Sequence, residues 1–137
     1  MAAPLELAIV TPNAVKFEGK ADIVVAPGGA GDLAALPNHA PMLTTLRIGV
    51  LRFTAAGDGK PRLEFAVNGG FMQITPAKCV VLTEMALGAS EIDRDEAQAE
   101  YRRAAESLAQ KRGVDDTHER AAVAWASAKL DVARQRL

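Results

Sequence analysis

Gly88-Ala89-Ser90-Glu91-Ile92-Asp93 divides the chain into two stretches of different composition. Before Gly88 lie nine of the eleven glycines and all seven prolines, and short apolar runs alternate with turns. From Gly88 onward there is no proline, and alanine and charged residues dominate. Strands followed by helices make an α+β chain: a β domain over 1–87 and a helical appendage over 88–137. At 137 residues, 49% of them apolar, there is enough for one core. Aromatics are only 4%, so that core is built from Val, Leu, Ile and Ala.

Upstream of the break, Leu5–Val10 alternates apolar and polar residues, and Val15–Gly19 and Ala21–Pro27 read as two more extended pieces. Leu43–Leu51 and Gly49–Thr54 are extended, then meet the turn-rich Ala55–Gly59. Arg62–Val67 alternates, Asn68-Gly69-Gly70 offers the positive-φ residues of a hairpin turn, and Phe71–Thr75 and Cys79–Thr83 follow. Many short strands at close spacing predict a small sandwich or barrel. Two irregular segments interrupt them. Gly28–Leu33 is glycine-rich, and Leu36-Pro37-Asn38-His39-Ala40-Pro41-Met42-Leu43 carries a proline on each side of a turn. Those prolines fix φ and remove N–H donors, so the loop is stiff and exposed: a plain surface corner or a contact surface.

Downstream, Ser90-Glu91-Ile92-Asp93 fits a loose helix-start signature. The first helix carries an apolar stripe of Ala97, Tyr101, Ala104, Ala105 and Leu108, and Gly113 ends it. Val114-Asp115-Asp116-Thr117 restarts the chain as a second helix, giving a helical hairpin. At about 100° per residue the second helix shows two apolar sides. Ala121, Trp125, Ala128 and Val132 form one; Val123, Ala126, Leu130, Ala133 and Leu137 form the other. Two stripes mean two neighbours, two alternative dockings, or alanines that tolerate exposure.

Nothing in the sequence supports catalysis by this chain alone. His39 and His118 are the only histidines and have no metal-spaced partners. Gly28-Gly29-Ala30-Gly31 lacks the Lys and Ser/Thr of a phosphate loop. Cys79 is the only cysteine, sits in a β-branched run and reads as core. A net charge of -1, with bases and acids interleaved, gives no reason to expect nucleic acid. No apolar run approaches a membrane span, and Met1-Ala2-Ala3-Pro4 does not read as the start of a secretory or transit-type leader, so the expectation is a bacterial home, or a mitochondrial or plastid one for a mature form.

Gly31-Asp32-Leu33, the Leu36–Thr44 segment, Gly49, Asn68-Gly69-Gly70-Phe71 and Ile92-Asp93 together resemble the epsilon-subunit family of bacterial F-type ATP synthases, over nearly the whole chain. The resemblance implies a flattened N-terminal β-sandwich with a C-terminal two-helix hairpin, at the foot of the central stalk. There it would bind the gamma subunit and the ring of c subunits, and help couple proton flow to ATP synthesis. Gly31, Asp32, Leu33, Asn38, His39 and Met42 match the segments at that interface. Asp32 meets a polar c-subunit loop there or is an ordinary turn carboxylate.

The family's hairpin folds onto the sandwich or extends along gamma, where it blocks ATP hydrolysis. Arg120, Trp125, Arg134 and Arg136 would then make the regulatory contacts with the alpha and beta subunits. Some members bind ATP through an Ile/Leu-Asp-x-x-Arg-Ala motif. Ile92 and Asp93 match it, but Glu96 stands at the arginine and would repel phosphate, leaving Arg94 or Arg103 to compensate. The expectation is no tight ATP binding, no other cofactor and no metal. The location implied is peripheral, on the cytoplasmic face of a bacterial inner membrane. The other readings are a free-standing β-domain adaptor with a protein-binding hairpin, and a small enzyme or nucleotide sensor.

Overall fold

The computed structural model describes residues 4–57, 62–111 and 114–134. Seven strands come first: β1 (Leu5–Val10), β2 (Val15–Gly28), β3 (Gly31–Ala35), β4 (Met42–Ala55), β5 (Arg62–Ile74), β6 (Lys78–Leu82) and β7 (Ala86–Gly88). A single 3-10 turn over Ala89–Glu91 leads to α1 (Arg94–Gln110) and α2 (Thr117–Ala133). The strands-then-helices order therefore holds, and the last strand ends at Gly88.

The strands lie in the order β1-β6-β5-β4-β2-β3, and β1 also pairs with β2, so five of them close on themselves. Three strands are long because they bend and serve both layers. β2 pairs with β1 through Val15–Ala21 and with β3 and β4 through its second half. The two pieces expected over 15–27 are thus one strand, as are the two expected over 43–54. Strand β5 pairs with β7 through Phe65–Val67 and with β6 through Phe71–Ile74.

Asn68-Gly69-Gly70 is correspondingly not a hairpin turn; it is the bend inside β5. Gly69 and Gly70 have φ of +76° and +117°. The positive φ that suggested a chain reversal is used to redirect the strand between layers. Gly28–Leu33, expected to be irregular, is a tight hairpin, with Gly29-Ala30 as its turn and Gly31 starting β3. Turn residues do not reveal how few residues a reversal uses.

The β core follows the alternation seen in the sequence. Leu5, Leu7 and Ile9 of β1 point inward, and Phe53 lies between Phe17 at 4.5 Å and Phe65 at 6.0 Å, ring centre to ring centre. Cys79 is fully buried, and burial pushes its thiol up to about 12. A thiolate is the reactive form. The folded protein should therefore leave a thiol reagent unconsumed at pH 8, with one equivalent released on denaturation; stoichiometric reaction before unfolding would contradict this burial.

Helix α1 begins at Arg94, later than the Ser90 signature suggested. Asp93 is its cap, its carboxylate accepting the Glu96 N–H at 3.1 Å. The Gly113 expected to end α1 falls outside the described residues. Helix α2 lies between α1 and the strands β4 and β5. It buries Ala128 and Val132 from one of its apolar sides and Ala126 and Ala133 from the other. Residues of both stripes are therefore buried in this one arrangement, and Ala128, Val132 and Ala133 share one cluster with Ala66 of the body and Ala97 of α1.

Candidate functional site

Asp32 opens β3 beside Gly31, whose φ is +140°. Its carboxylate pairs with the Arg47 guanidinium on β4, and Arg47 also donates to the Gly28 carbonyl at 2.7 Å. The turn carboxylate thus already has an intrachain partner, though both side chains remain about half exposed. Leu33 is half-buried and packs on the β core. The proline-bracketed loop lies at the other end of β3. Asn38 has φ +67° and donates its N–H to the Pro76 carbonyl at 2.8 Å. His39 donates backbone N–H to Leu36 and ring Nδ1–H to Ala40. Met42 is exposed. A five-residue strand spans about 17 Å, so the structure does not bring Gly31 and Asp32 together with Asn38 and His39. They are two separate corners of the β body.

A third surface was not singled out from sequence. Phe71 on β5 pairs with Thr45 of β4 and with Leu82 of β6; Gln73 two residues on pairs with Leu43 and Val80. All six side chains therefore share the outer face of these strands. Leu43, Phe71 and Leu82 are 71%, 53% and 52% exposed. A crevice of about 420 Å³ extends this face past Val10 and Pro12. The available signal was that Cys79–Leu82 is apolar on both alternating sets, which a strand with one wet face does not need.

On the other side the hairpin covers the body. Trp125 is half-buried, with the Lys129 ammonium 5.6 Å from its ring centre, and Lys129 pairs with Glu100 of α1. Arg120 and Arg134 are about 70% exposed and form ion pairs with nearby acids, Asp116 at the N-cap of α2 and Asp131 within it. Arg136 lies outside the described residues.

Ile92, Asp93 and Arg103 do not form one site. Ile92 is buried against Ala66 and Val132, Asp93 caps α1, and Arg103 is about 15 Å further along the helix, exposed at a crevice shared with His118 and Trp125. Glu91, just before them, is partly desolvated, which raises its pKa, but the Lys16 side chain and the Gly88 N–H outweigh this and hold it below the usual carboxylate range. Among the described residues no group of His, Cys, Asp or Glu is placed to hold a metal ion.

The described residues form an α+β module: a closed β body with an apolar outer face, and a helical hairpin laid over another side. Residues 4–89 match the model of the ATP synthase delta/epsilon chain beta-sandwich domain, and the chain belongs to that family. It is 42% identical over 118 residues to the ATP synthase epsilon chain of Desulforamulus reducens, covering 86% of this chain and 87% of that relative. It is 34% identical over 134 residues to the epsilon chain of Desulfitobacterium hafniense strain Y51, covering 98% and 99%. In fold it is similar to a chain in the cryo-EM structure of the Euglena gracilis mitochondrial ATP synthase, OSCP/F1/c-ring, with a TM-score of 0.80 at 15% identity, covering 98% of this chain and 83% of that one.

Proposed function

We propose that this chain is a non-catalytic subunit in the central stalk of a proton-translocating F-type ATP synthase. Its β body grips the gamma subunit and the c ring and so couples proton flow to ATP synthesis; its hairpin restrains ATP hydrolysis. The observation that carries this reading is the open apolar face of Leu43, Phe71 and Leu82 on a family fold whose other side the hairpin covers. Apolar surface of this kind on a small body is a docking face, and gamma is its partner. The Asp32 and Asn38–Met42 corners face the ring and rotor.

When the hairpin extends, Arg120, Arg134 and Arg136 meet acidic segments of the alpha and beta subunits. Extension exposes apolar residues on both sides of α2, so it needs a partner to cover them. With Glu96 at the motif arginine and Asp93 engaged as a cap, regulation proceeds without tight ATP binding. No described helix is long and apolar enough to cross a membrane, and the chain reaches the cytoplasmic face of the bacterial inner membrane through the complex.

The test is removal of the residues after Gly88 within the assembled enzyme. Assembly and ATP synthesis should persist while ATP hydrolysis rises severalfold. Unchanged hydrolysis would refute the inhibitory role, and failure of the intact chain to co-purify with gamma would refute the stalk role.

A further inference from the structure

We infer that Arg47 is a positioning residue: it clamps the β2–β3 hairpin tip over 28–32 to β4, and so sets how that corner meets the ring. The inference rests on the stalk role proposed above. The tip needs a clamp because its ladder is broken on one side and open on the other. Strand β2 pairs with β4 as far as Val25↔Arg52 and resumes only at Gly28↔Leu46, so β4 takes six residues to cover a span that β2 covers in three. Pro27 lies in that gap and has no N–H to give. On the far side β3 is an edge strand, paired with β2 alone among the described residues.

Arg47 spans the gap. From β4 its guanidinium donates to the Gly28 carbonyl at 2.7 Å and pairs with the Asp32 carboxylate. Gly28 ends β2 and Asp32 lies in β3, so one planar side chain holds both arms of the hairpin. Between those arms the Gly29 N–H donates to the Thr45 carbonyl at 2.9 Å, and a Cβ on Gly29 would run into the Thr45 hydroxyl. The tip therefore lies flush against β4 and is ordered before any partner arrives, which spares the contact that cost.

The clamp does little for the fold as a whole. Both side chains are about half exposed, and an exposed ion pair contributes little stability. Its effect is on where the turn sits and on what the corner offers. The Asp32 charge is already met by Arg47, so the corner presents a neutral pair and turn backbone. Asp32 acts through the clamp and is not by itself the contact.

The test compares three variants in the isolated chain and in the assembled enzyme. Arg47→Met removes the donors and keeps an apolar stem on β4. In the isolated chain the melting temperature should stay within a few degrees of the parent. By NMR the Gly29 amide should exchange with solvent about 10-fold faster, while the Met72 amide in the core of β5 exchanges as before. In the assembled enzyme the protons pumped per ATP hydrolysed should fall about twofold or more, with no drop in the hydrolysis rate. Arg47→Lys restores the charge without the planar fork and should recover part of both losses. Asp32→Asn still accepts from Arg47 and should match the parent in both readouts. Unchanged Gly29 exchange in Arg47→Met, unchanged pumping per ATP in it, or a greater loss in Asp32→Asn than in Arg47→Met would each overturn the inference. If Arg47→Met fails to fold, Arg47→Lys against Asp32→Asn makes the same comparison. Failure of the parent chain itself to assemble with gamma and the ring would instead refute the stalk role, and the ring contact with it.

Discussion

Gly70→Ala is expected to lower the melting temperature by about 10 °C or more, while Gly69→Ala lowers it by only a few degrees. Both glycines have positive φ, so both alanines carry backbone strain of about 1–2 kcal/mol. Their surroundings differ. The nearest atom to a Cβ on Gly69 is the Leu46 carbonyl oxygen at 3.5 Å, an ordinary contact. A Cβ on Gly70 falls onto the Leu82 carbonyl oxygen and 3.0 Å from the Thr83 Cα. Those atoms are backbone at and just past the end of β6 and cannot rotate away, so that segment must shift, at roughly a further 1–3 kcal/mol. Against a total stability of about 5–15 kcal/mol this is a large fraction. Thermal unfolding followed by circular dichroism separates the two positions, and equal losses would mean that β6 does not press on the bend.

The same two glycines show what was legible in the sequence and what was not. Asn68-Gly69-Gly70 announced positive φ, and the structure has it. Whether such a site reverses a chain or bends it depends on what lies beside the backbone, here β6, which is distant in sequence from the strand's start. The break at Gly88 was readable because composition is local. The double apolar pattern of α2 was readable because its period is local too, but period alone did not choose between two neighbours, two alternative dockings and exposed alanines. Asp32 could be read as a turn carboxylate, but its Arg47 partner comes from another strand. The open face escaped notice because Phe71, Leu82 and Leu43 become neighbours only through the β5–β6 and β4–β5 register. Each alone looked like one more apolar residue in a strand.

Phe71→Glu combined with Leu82→Glu should weaken binding to the gamma subunit about 100-fold or more, which is roughly 2.7 kcal/mol. The two side chains are opposite each other in the β5–β6 register, on the face no helix covers. Each is already half in water, so the substitutions remove little packing within the chain itself. Docking an apolar partner surface there would take two carboxylates out of water, a penalty of several kcal/mol. Circular dichroism and the melting temperature should stay near those of the parent chain. Arg102→Glu, on the exposed side of α1, is the matching control and should bind as before. Titration of purified gamma with the three proteins decides the matter. If the double variant bound as tightly as the parent, the contact would have to move to the Asn38–Met42 corner, whose exposed residues lie at the far end of β3 and on the opposite alternation of β4 from Leu43.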